Sequence, residues 1–561
     1  MNILGITAPL SWNTAACLVV NDNLEFFAEE ERYDKIKHSP KNIPKKAILN
    51  CLRFKNLSIK DIDAITIGFN SPTKISYQNF FQQLKEGNYS EILFNQFSFL
   101  EYKKKINELK NFLKELGLNH NEIKDKIFYY SHHECHVASS IFCNDFEESL
   151  FLSLDGMGEK ESGSYGCYRN GKIETLGYID INQSLGWLYS VVTDICGFKS
   201  HSHEGKVMGL APFGKNRPEL LDGVCSINND GYKLHKNWKV KLYENVSPRS
   251  KNLDNNYVDQ IYKDLARTTQ VFLEKSSLTL INKLYQKYKI RNISLSGGVA
   301  LNCDMNYHIA KLSWVKNIFI QPAANDAGTA MGSAFLHRKK FQNKHINFMK
   351  KNSVYTGNEY TDKEVTSLLE KTKIDYRRVS LNEVAMLLKE GHIIGWFNGR
   401  MEFGPRALGG RSILAHPGIE GIQDKINSRV KNRELWRPFA PSILHEKTNE
   451  YSEINSQDAD FMLITYPVNE NIKSKISQTV HVDNTARFQS VKKEYNKNYY
   501  DLINEFYKIT GIPVLLNTSF NDDGRPICLD PKDALQVFFS SGLDYLYLEG
   551  YLISKDRTSQ K

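Results

Sequence analysis

Three segments of this sequence place glycine directly after a short β-forming run, and they constrain the fold more than any other feature. The segments are LSLDGMGEKESGSYG at 152–166, SLSGGVALN at 294–302 and NDAGTAMG at 325–332. Glycine after a strand lets backbone N–H groups approach an anion, because no Cβ stands in the way. One Gly-Gly alone is more often an ordinary strand-to-helix turn, whereas three such segments favour a nucleotide or phosphate cleft. The residues predicted to contact that ligand are Gly156, Gly297, Gly298 and Asn302.

Short apolar runs rich in β-forming residues alternate with helical segments along the first part of the chain. The runs predicted as strands are Ile3–Ile6, Cys17–Val20, Ala64–Phe69, Leu150–Leu154 and Ile293–Leu295. Between them, the stretch from Phe80 to Leu118 carries apolar residues at helical spacing and is predicted to be largely α. This alternation indicates an α/β architecture.

The chain is expected to form at least two domains, because 561 residues exceed what one hydrophobic core usually holds. A basic stretch without clear periodicity, His337 to Lys351, follows the third glycine segment and predicts a boundary near 340–358. Beyond it, His392–Phe397, Asp460–Tyr466 and Pro513–Leu516 are predicted strands. They belong to a second α/β or α+β domain with its own site.

Composition excludes several classes of protein. No apolar run is long enough to cross a bilayer, and the first 20 residues lack the pattern of a signal peptide, so we expect no membrane association and a cytoplasmic location. The nine cysteines are scattered without a CxxC pair, which argues against a zinc ribbon or a thioredoxin-like site. The net charge of +9 is spread along the chain, so binding of nucleic acid is not expected.

The segment SHHECHVASS at 131–140 indicates a metal site. His132 and His136 are four residues apart and lie on one face of a helix. Imidazole and carboxylate together suit a divalent transition metal, and Asp155 and Asp326 from the glycine segments would complete the ligand set. An isolated H-x-x-x-H is as often a hydrogen-bonded structural pair, but two Asp-bearing loops beside it favour the metal.

The second part of the chain concentrates arginine in glycine- and proline-rich motifs. These are NGRMEFGPRALGGRS at 398–412, VKNRELWRPFAPS at 430–442, VDNTARFQSV at 482–491 and PVLLNTSFN at 513–521. Guanidinium groups bind phosphate and carboxylate bidentately, so such a group predicts an anionic ligand. If they were instead separate surface residues, no ligand would be implied. The candidates are Arg406, Arg411, Lys431, Arg437 and Arg487, with Asn517 and Ser519 as hydrogen-bonding partners.

In this order, H-x-x-x-H, LSLDG, HEGKVMGLAPFG, SGGVALN, NDAG and the arginine motifs resemble the carbamoyltransferase family typified by NodU and CmcH. The resemblance covers essentially the whole chain. It implies a two-lobed domain of the ASKHA (actin, sugar-kinase and heat-shock ATPase) superfamily over residues 1–345. It further implies a YrdC-like domain over 358–561, in which carbamoyl adenylate is made.

The resemblance also implies cofactors and roles. ATP with Mg²⁺ and carbamoyl phosphate are the expected substrates, and a small hydroxylated molecule, such as a sugar-containing natural product or surface glycan, is the expected acceptor. His132, His136, Asp155 and Asp326 would bind iron(II) or a similar divalent ion, with Asp155 also catalytic. The adenylate would contact Arg406, Lys431, Arg437, Asn517, Ser519 and Arg487, the last also catalytic. Glu204 and Lys206 in HEGKVMGLAPFG are placed near acceptor or nucleotide. A homodimer would be unsurprising.

One departure from the family concerns the segment PLSWNTAACLVV. Family members often carry His-Asp where this chain has Trp12 and Asn13, so any role of that histidine is moved or lost. His38 is the substitute candidate for a base, and Lys35 and Lys37 near it are candidates for contact with acceptor or phosphate.

Two other functions stay open at this point. Carbamoylation of RNA or of a protein thiol is one, although the chain has no CxxC elements and no concentrated basic stripe with aromatic residues. A nucleotide-binding protein without catalytic activity on the same fold is the other.

Overall fold

A computed structural model of the chain describes residues 1–72, 89–229, 231–341, 345–349, 353–453, 459–522 and 524–555, the side chains of 89–99 excepted. Its first sheet has five strands in the order β3-β2-β1-β4-β5, antiparallel on the β3 side and parallel on the β5 side. The elements here are β1 (Asn2–Ile6), β2 (Ala15–Val20), β3 (Asn23–Glu29), α1 (Glu31–Asp34), α2 (Lys45–Phe54), β4 (Ala64–Ile67), α3 (Tyr89–Glu115), α4 (His120–Lys126), β5 (Ile127–Tyr129) and α5 (His132–Ile141).

A second five-stranded sheet repeats the same plan. Its order is β12-β11-β6-β7-β8, again with an antiparallel β6-β7-β8 side and a parallel β6-β11-β12 side. Its elements are β6 (Ser149–Leu154), β7 (Glu161–Arg169), β8 (Lys172–Asp180), α6 (Leu185–Ile195), α7 (Glu204–Leu210), β9 (Cys225–Asn228), β10 (Gly231–Leu234), α8 (Trp238–Asn245), α9 (Gln260–Tyr288), β11 (Asn292–Ser296), α10 (Cys303–Ala310), β12 (Asn317–Ile320) and α11 (Gly328–Lys339).

The two sheets are joined by the helices that follow their last strands, α5 after β5 and α11 after β12. These helices pack against each other along buried faces, and α11 also contacts β1 and β2. Gly332 allows this approach, because a Cβ there would lie 1.8 Å from the carbonyl oxygen of Cys135. The close packing places the start of α5 beside the start of α11.

The second half of the chain, residues 353–555, is built on one mixed eight-stranded sheet in the order β13-β22-β21-β14-β15-β20-β16-β19. Helices α13 and α16 pack together beside it. Its elements are α12 (Asp362–Thr372), β13 (Arg377–Arg378), α13 (Leu381–Lys389), β14 (Ile394–Phe397), β15 (Arg411–Ala415), α14 (Ile422–Lys425), β16 (Ala440–Leu444), α15 (Thr448–Tyr451), β17 (Tyr466–Pro467), β18 (Thr485–Ala486), β19 (Gln489–Val491), α16 (Lys497–Thr510), β20 (Val514–Ser519), α17 (Pro531–Ser540), β21 (Tyr545–Leu548) and β22 (Tyr551–Ser554).

The α/β fold class is confirmed, with a first half of two equivalent sheets as the ASKHA resemblance implies. The division at 345 and 358 stays a prediction. Each of the five strands predicted in the first half falls on a strand, and the predicted long helix corresponds to α3, the part from 80 to 88 lying outside the described residues. In the second half, the strands predicted at His392–Phe397 and Pro513–Leu516 correspond to β14 and β20.

The strand predicted at Asp460–Tyr466 is wrong. Only its last residue, Tyr466, lies in a strand. The carbonyl oxygens of this segment bind α10 of the first half instead of a neighbouring strand: Asn306 Nδ2 donates to Leu463 O at 2.8 Å. Contacts with the first half therefore decide the conformation of this segment. Within the described ranges, no helix is both long and apolar enough to cross a bilayer.

Candidate active site

Four side chains from different elements of the first half meet in one group, which we call the histidine–aspartate group: His132, His136, Asp155 and Asp326. The two Nε2 atoms of the histidines are 3.1 Å apart. Asp155 Oδ2 lies 3.4 Å from His132 Nε2 and 3.6 Å from His136 Nε2. Asp326 Oδ1 lies 3.7 and 3.9 Å from the same two nitrogens.

The fold holds each carboxylate by its other oxygen. Asp155, directly after β6, accepts a hydrogen bond from the backbone N–H of Gly298 at 2.9 Å, which is the contact that the second glycine segment provides. Asp326, just before α11, accepts one from the backbone N–H of Trp12 at 2.7 Å. In both residues the other oxygen faces the two histidines.

Helix α5 presents His132 from its first turn and His136 from its second. Glu159 accepts the backbone N–H of His132 at 3.0 Å and the side-chain amide of Asn70 at 2.9 Å, so it satisfies one of the free N–H groups at the helix start. The sequence analysis did not identify Glu159. The one sequence feature that could have indicated its role is its position four residues after Asp155 in the same glycine-rich loop.

The electrostatics of this group tie its members together. Burial by itself would lower the pKa of His132, but the hydrogen bond to Asp155 and the charge of Asp326 outweigh it and raise the pKa to about 9. Burial would raise the pKa of Asp155, and its hydrogen bonds to the two histidines bring it well below the usual value. Two carboxylates facing two imidazoles thus attract positive charge.

This donor set fits a divalent metal ion. Its four ligand atoms all lie within 4.8 Å of one another. Nitrogen and oxygen ligands about 2.1 Å from one ion lie roughly 3–4 Å apart, as these do. The Nε2 atoms of both histidines face the carboxylate oxygens, so imidazole nitrogen and carboxylate oxygen converge on one place. The metal-binding role of these residues stays a prediction.

In the second half, the basic residues Arg406, Arg437, Arg487 and Lys431 form what we call the arginine group. Burial and the charges of Arg487 and Arg437 lower the pKa of Arg406 to about 10. Arg406 donates weakly to Cys303 Sγ at 3.9 Å and, like Arg487, has no ion pair with a carboxylate among the described residues. Arg437 lies 3.7 Å from Glu434. The group therefore carries an excess of positive charge.

Lys431 is fully enclosed near Arg437. Its ammonium donates to Asn521 Oδ1 at 2.7 Å, to Asn521 O at 3.0 Å and to Ser519 Oγ at 3.2 Å, and it also contacts the carbonyl of Ser519. Burial lowers the pKa of Lys431 well below its usual value, and the charges of Arg433 and Arg437 add to the effect. Only neutral oxygens accept from this nitrogen, and no carboxylate among the described residues forms an ion pair with it.

The loop that carries Arg406 is held by a frame of polar side chains. Buried Glu402 accepts backbone N–H groups of Leu408 at 2.7 Å and of Gly410 and Arg411 at 3.2 Å each. Carbonyl oxygens of the same loop accept from three further side chains at 2.7–3.0 Å, those of Asn517, Gln489 and Trp396. Fixing a loop in this way keeps a functional side chain in one position.

Several sequence candidates serve this framework. The side-chain amide of Asn517 donates to Ala407 O and to the side chains of Ser442 and Gln489. Asn302 caps the start of α10 and forms a hydrogen bond with Gln270. Arg411 was grouped with the anion-binding arginines, and this is wrong. Its guanidinium donates to four backbone carbonyls and lies over the Phe397 ring at 3.5 Å, so the fold already uses these donors.

The glycines predicted to contact a ligand lie beside the histidine–aspartate group. Gly156 follows Asp155, and its carbonyl accepts from Ser184 at 2.7 Å. Gly297 has a φ of +81°, and a Cβ there would lie 2.2 Å from Leu154 O, so only glycine fits. Glu402 and the backbone N–H of Trp12 are the functional groups that sequence reasoning missed. Glu402 could have been recognised as the one acidic residue among the arginines and glycines of GRMEFGPRALGGRS. The Trp12 N–H could not, because a backbone group is independent of residue type.

Basic residues of the first half lie near the boundary with the second half. The charges of Lys37 and Lys206 act on His203, and Lys37 also acts on Lys431 across the boundary between the halves. Lys206 forms an enclosed ion pair with Glu434 of the second half at 2.6 Å. Glu204 accepts from Ser190 at 2.5 Å, and Lys35 is paired with Asp533. Side chains of the two halves thus meet at their boundary, where Arg406 reaches Cys303 and Lys206 reaches Glu434.

His38, the candidate base, lies beside Asn13 and Trp12. Its Nδ1 is 2.9 Å from the side-chain amide nitrogen of Asn13, and its Nε2 is buried without a partner among the described residues. Burial, with the charge of Lys37, lowers the pKa of His38 to about 4, so the ring is neutral at pH 7. With the Asn13 amide donating to Nδ1, Nε2 carries the proton, which makes His38 a donor in this arrangement.

Comparison with known proteins gives consistent results. Residues 2–335 match the family model "Carbamoyltransferase N-terminus", and residues 385–555 match "Carbamoyltransferase C-terminus". An uncharacterized protein of Synechocystis, sll1178, is 33% identical over 100% of this chain and 98% of its own length. The nodulation protein NolNO of Sinorhizobium fredii is 33% identical over 100% of this chain and 81% of its own length.

A third relative has a more specific name. The 3'-hydroxymethylcephem-O-carbamoyltransferase of Amycolatopsis lactamdurans is 34% identical over 44% of this chain and 46% of its own length. Among solved structures, full-length HypF in its phosphate- and nucleotide-bound form covers 61% of this chain and 56% of its own at 14% identity, with a TM-score of 0.35, too low to support an argument. The two family models together with the full-length relatives show that this chain belongs to the carbamoyltransferase family.

Proposed function

We propose that this protein is an ATP-dependent O-carbamoyltransferase that uses its two groups in sequence. The arginine group binds ATP, with its Mg²⁺, and carbamoyl phosphate, and carbamoyl adenylate forms there. The histidine–aspartate group then holds the adenylate while a hydroxyl of a small, sugar-containing acceptor attacks the carbamoyl carbon. The observation that carries the proposal is the excess positive charge of the arginine group in a fixed loop of the second half, together with the metal-type donor set of the first half.

The excess positive charge supports an anionic ligand of high charge. Arg406 and Arg487 have buried Nε atoms without a hydrogen-bond partner among the described residues. A buried donor that lacks a partner destabilises the fold by about 1–3 kcal/mol, so phosphate oxygens that accept from such donors bind favourably. ATP and carbamoyl phosphate together supply several such oxygens.

The chemistry balances in two steps. Water displaces phosphate from carbamoyl phosphate, and an oxygen of the resulting carbamate attacks the α-phosphorus of ATP as pyrophosphate leaves. In the second step the acceptor oxygen forms a bond to the carbamoyl carbon, AMP leaves and the hydroxyl proton is released. The arginine group offsets the negative charge that develops on the leaving pyrophosphate, and the cleft between the halves keeps the reactive adenylate away from bulk water.

In the second step the protein orients the adenylate and the acceptor. A divalent ion, iron(II) or similar, would be held by His132, His136, Asp155 and Asp326, and when bound it would supply positive charge next to the phosphate. Gly298 N–H and Trp12 N–H keep the two carboxylates in position for this. The relative from Amycolatopsis lactamdurans is named for O-carbamoylation of a hydroxymethyl cephem, and this supports a small hydroxylated acceptor.

The test is release of pyrophosphate from ATP by the purified protein without any acceptor, with and without carbamoyl phosphate. We expect release only when carbamoyl phosphate is present, and Arg487→Ala should abolish it. The matched control is Arg378→Ala, since Arg378 is an exposed arginine of the same half that pairs with Asp362. Release that ignores carbamoyl phosphate, or that survives in Arg487→Ala, would contradict the proposal.

A further inference from the structure

Three aromatic rings follow one another beside the histidine–aspartate group. The ring centroids of Trp12 and His201 are 5.2 Å apart at an interplanar angle of 51°, and those of His201 and Trp187 are 4.9 Å apart at 85°. All three side chains are partly exposed. They come from three separate parts of the chain, so the fold assembles an aromatic surface of mutually inclined rings that no sequence motif shows.

The framework fixes these rings. The backbone N–H of Trp12 donates to Asp326 at 2.7 Å, which holds the indole next to a predicted metal ligand. The backbone N–H of His201 donates to Glu204 at 2.6 Å, and His201 takes a φ of +60° that non-glycine residues rarely adopt. The ammonium of Lys239 lies 4.7 Å from the Trp187 ring centre. A strained, hydrogen-bonded backbone under one ring indicates that its position matters.

Two polar atoms at this surface have no partner. Trp12 Nε1 and His38 Nε2 are shielded from solvent, and neither has a hydrogen-bond partner within the part of the chain that the structure describes. The two rings are neighbours, with centroids 6.5 Å apart. Buried N–H groups are nearly always hydrogen-bonded in proteins, so these atoms point to a ligand with oxygen atoms.

We propose that Trp12, His201 and Trp187 form the acceptor subsite and that it takes a pyranose ring. A pyranose presents an apolar face of C–H groups that packs on aromatic rings, while hydroxyl oxygens at its edge accept hydrogen bonds from buried donors such as Trp12 Nε1. An acyclic polyol has the same hydroxyls but no rigid apolar face. The inference rests on the proposed function, since it names what binds beside the adenylate.

Binding is measured first, by isothermal titration with methyl glucoside, methyl galactoside, methyl mannoside and methyl N-acetylglucosaminide, and with sorbitol for comparison. Carbamoyl transfer to the same compounds from labelled carbamoyl phosphate and ATP is measured in parallel. We expect at least one pyranoside to bind and to accept carbamoyl, and sorbitol to do neither. Titration reports on the subsite even in an inactive protein, whereas loss of carbamoyl-phosphate-dependent pyrophosphate release reports on the proposed function.

Two variants locate the subsite. Trp187→Ala should raise the KM for the accepted pyranoside about tenfold or more and leave pyrophosphate release unchanged. Trp12→Phe keeps a ring but removes the indole N–H, and it should raise the same KM several-fold. Trp314→Ala is the control, since Trp314 is a partly exposed tryptophan of the same half stacked on Tyr285. The subsite is overturned if no pyranoside binds, if sorbitol binds as well, or if Trp187→Ala matches Trp314→Ala.

Discussion

The two functional groups of this protein solve opposite electrostatic problems. In the histidine–aspartate group, two carboxylates face two imidazoles, and each carboxylate is held by a backbone N–H. In the arginine group, cations lie near one another, and neither Arg406 nor Arg487 forms an ion pair among the described residues. The histidine–aspartate group therefore attracts a cation, and the arginine group attracts anions.

The difference also extends to how the groups are built. The carboxylates stand at ends of strands and starts of helices, where backbone N–H groups are free to bind them. The arginines have no such support from the backbone, so side chains such as Glu402 and Asn517 hold their loop. The comparison teaches that an anion completes the arginine group, whereas the other group keeps its shape through backbone hydrogen bonds.

The largest expected effect is on the arginine group. Arg406→Ala should lower carbamoyl-phosphate-dependent pyrophosphate release about 10²–10³-fold, because a positioned cation is removed from developing negative charge. Arg406→Lys should recover little of it, since an ammonium cannot bind phosphate through two parallel donors. Steady-state pyrophosphate assays measure this, with Arg378→Ala as control. Wild-type rates in Arg406→Ala would break the proposed role of this group.

The next effect separates the two groups. His136→Ala should lower bound metal, measured by elemental analysis, and carbamoyl transfer to the acceptor about 100-fold, because one of four ligands is lost. Pyrophosphate release without acceptor should stay within about twofold of wild type, since the arginine group is intact. His308→Ala, at a histidine of the same half that is 45% exposed, is the control. Equal loss of both activities would show that the groups do not act separately.

A smaller effect tests the frame of the arginine loop. Glu402→Gln keeps the size of the side chain but weakens its hydrogen bonds to three backbone N–H groups. We expect about 1–3 kcal/mol less stability in urea denaturation and a rise of about tenfold in the KM for carbamoyl phosphate. Glu383→Gln, which changes an exposed carboxylate that caps α13, serves as control. An unchanged KM would mean that the frame does not position Arg406.

The smallest expected effect is the pH dependence of stability that His38 causes. The pKa of His38 is lowered from 6.5 to about 4, so between these values the unfolded chain binds a proton that the folded protein does not. Stability from this site is present above pH 6.5 and is lost as the pH falls towards 4. His38→Gln should therefore lose less stability than wild type between pH 7 and 5, by on the order of 1 kcal/mol in urea denaturation. The exposed His120→Gln should behave like wild type.

Much of the fold could be predicted from sequence, because β-forming runs such as Leu150–Leu154 carry their own signal. The exception was Asp460–Tyr466, where the chain is apolar but its carbonyls bind Asn306 on α10. A local pattern cannot report a partner that lies over 150 residues away. Residue type also could not show that Arg411 and Arg406 have different roles. Only the fold shows that backbone carbonyls surround Arg411.

The candidate residues of the first half were predicted together because charge and spacing identify them. His132 and His136 are one helical turn apart, and Asp155 and Asp326 follow strands that end at the same edge. The supporting contacts could not be predicted, since the Trp12 N–H is a backbone group and carries no signal of residue type. The aromatic surface of Trp12, His201 and Trp187 was missed for a related reason, because its members lie in three unrelated segments.

The central claim, that the two groups perform successive steps, is tested most directly by trapping the intermediate. His136→Ala and Arg487→Ala are each incubated with labelled carbamoyl phosphate and ATP without acceptor, quenched rapidly, and examined by mass spectrometry for carbamoyl adenylate. The account predicts that carbamoyl adenylate forms in His136→Ala and is absent from Arg487→Ala. Carbamoyl adenylate in Arg487→Ala, or none in His136→Ala while pyrophosphate is released, would contradict it.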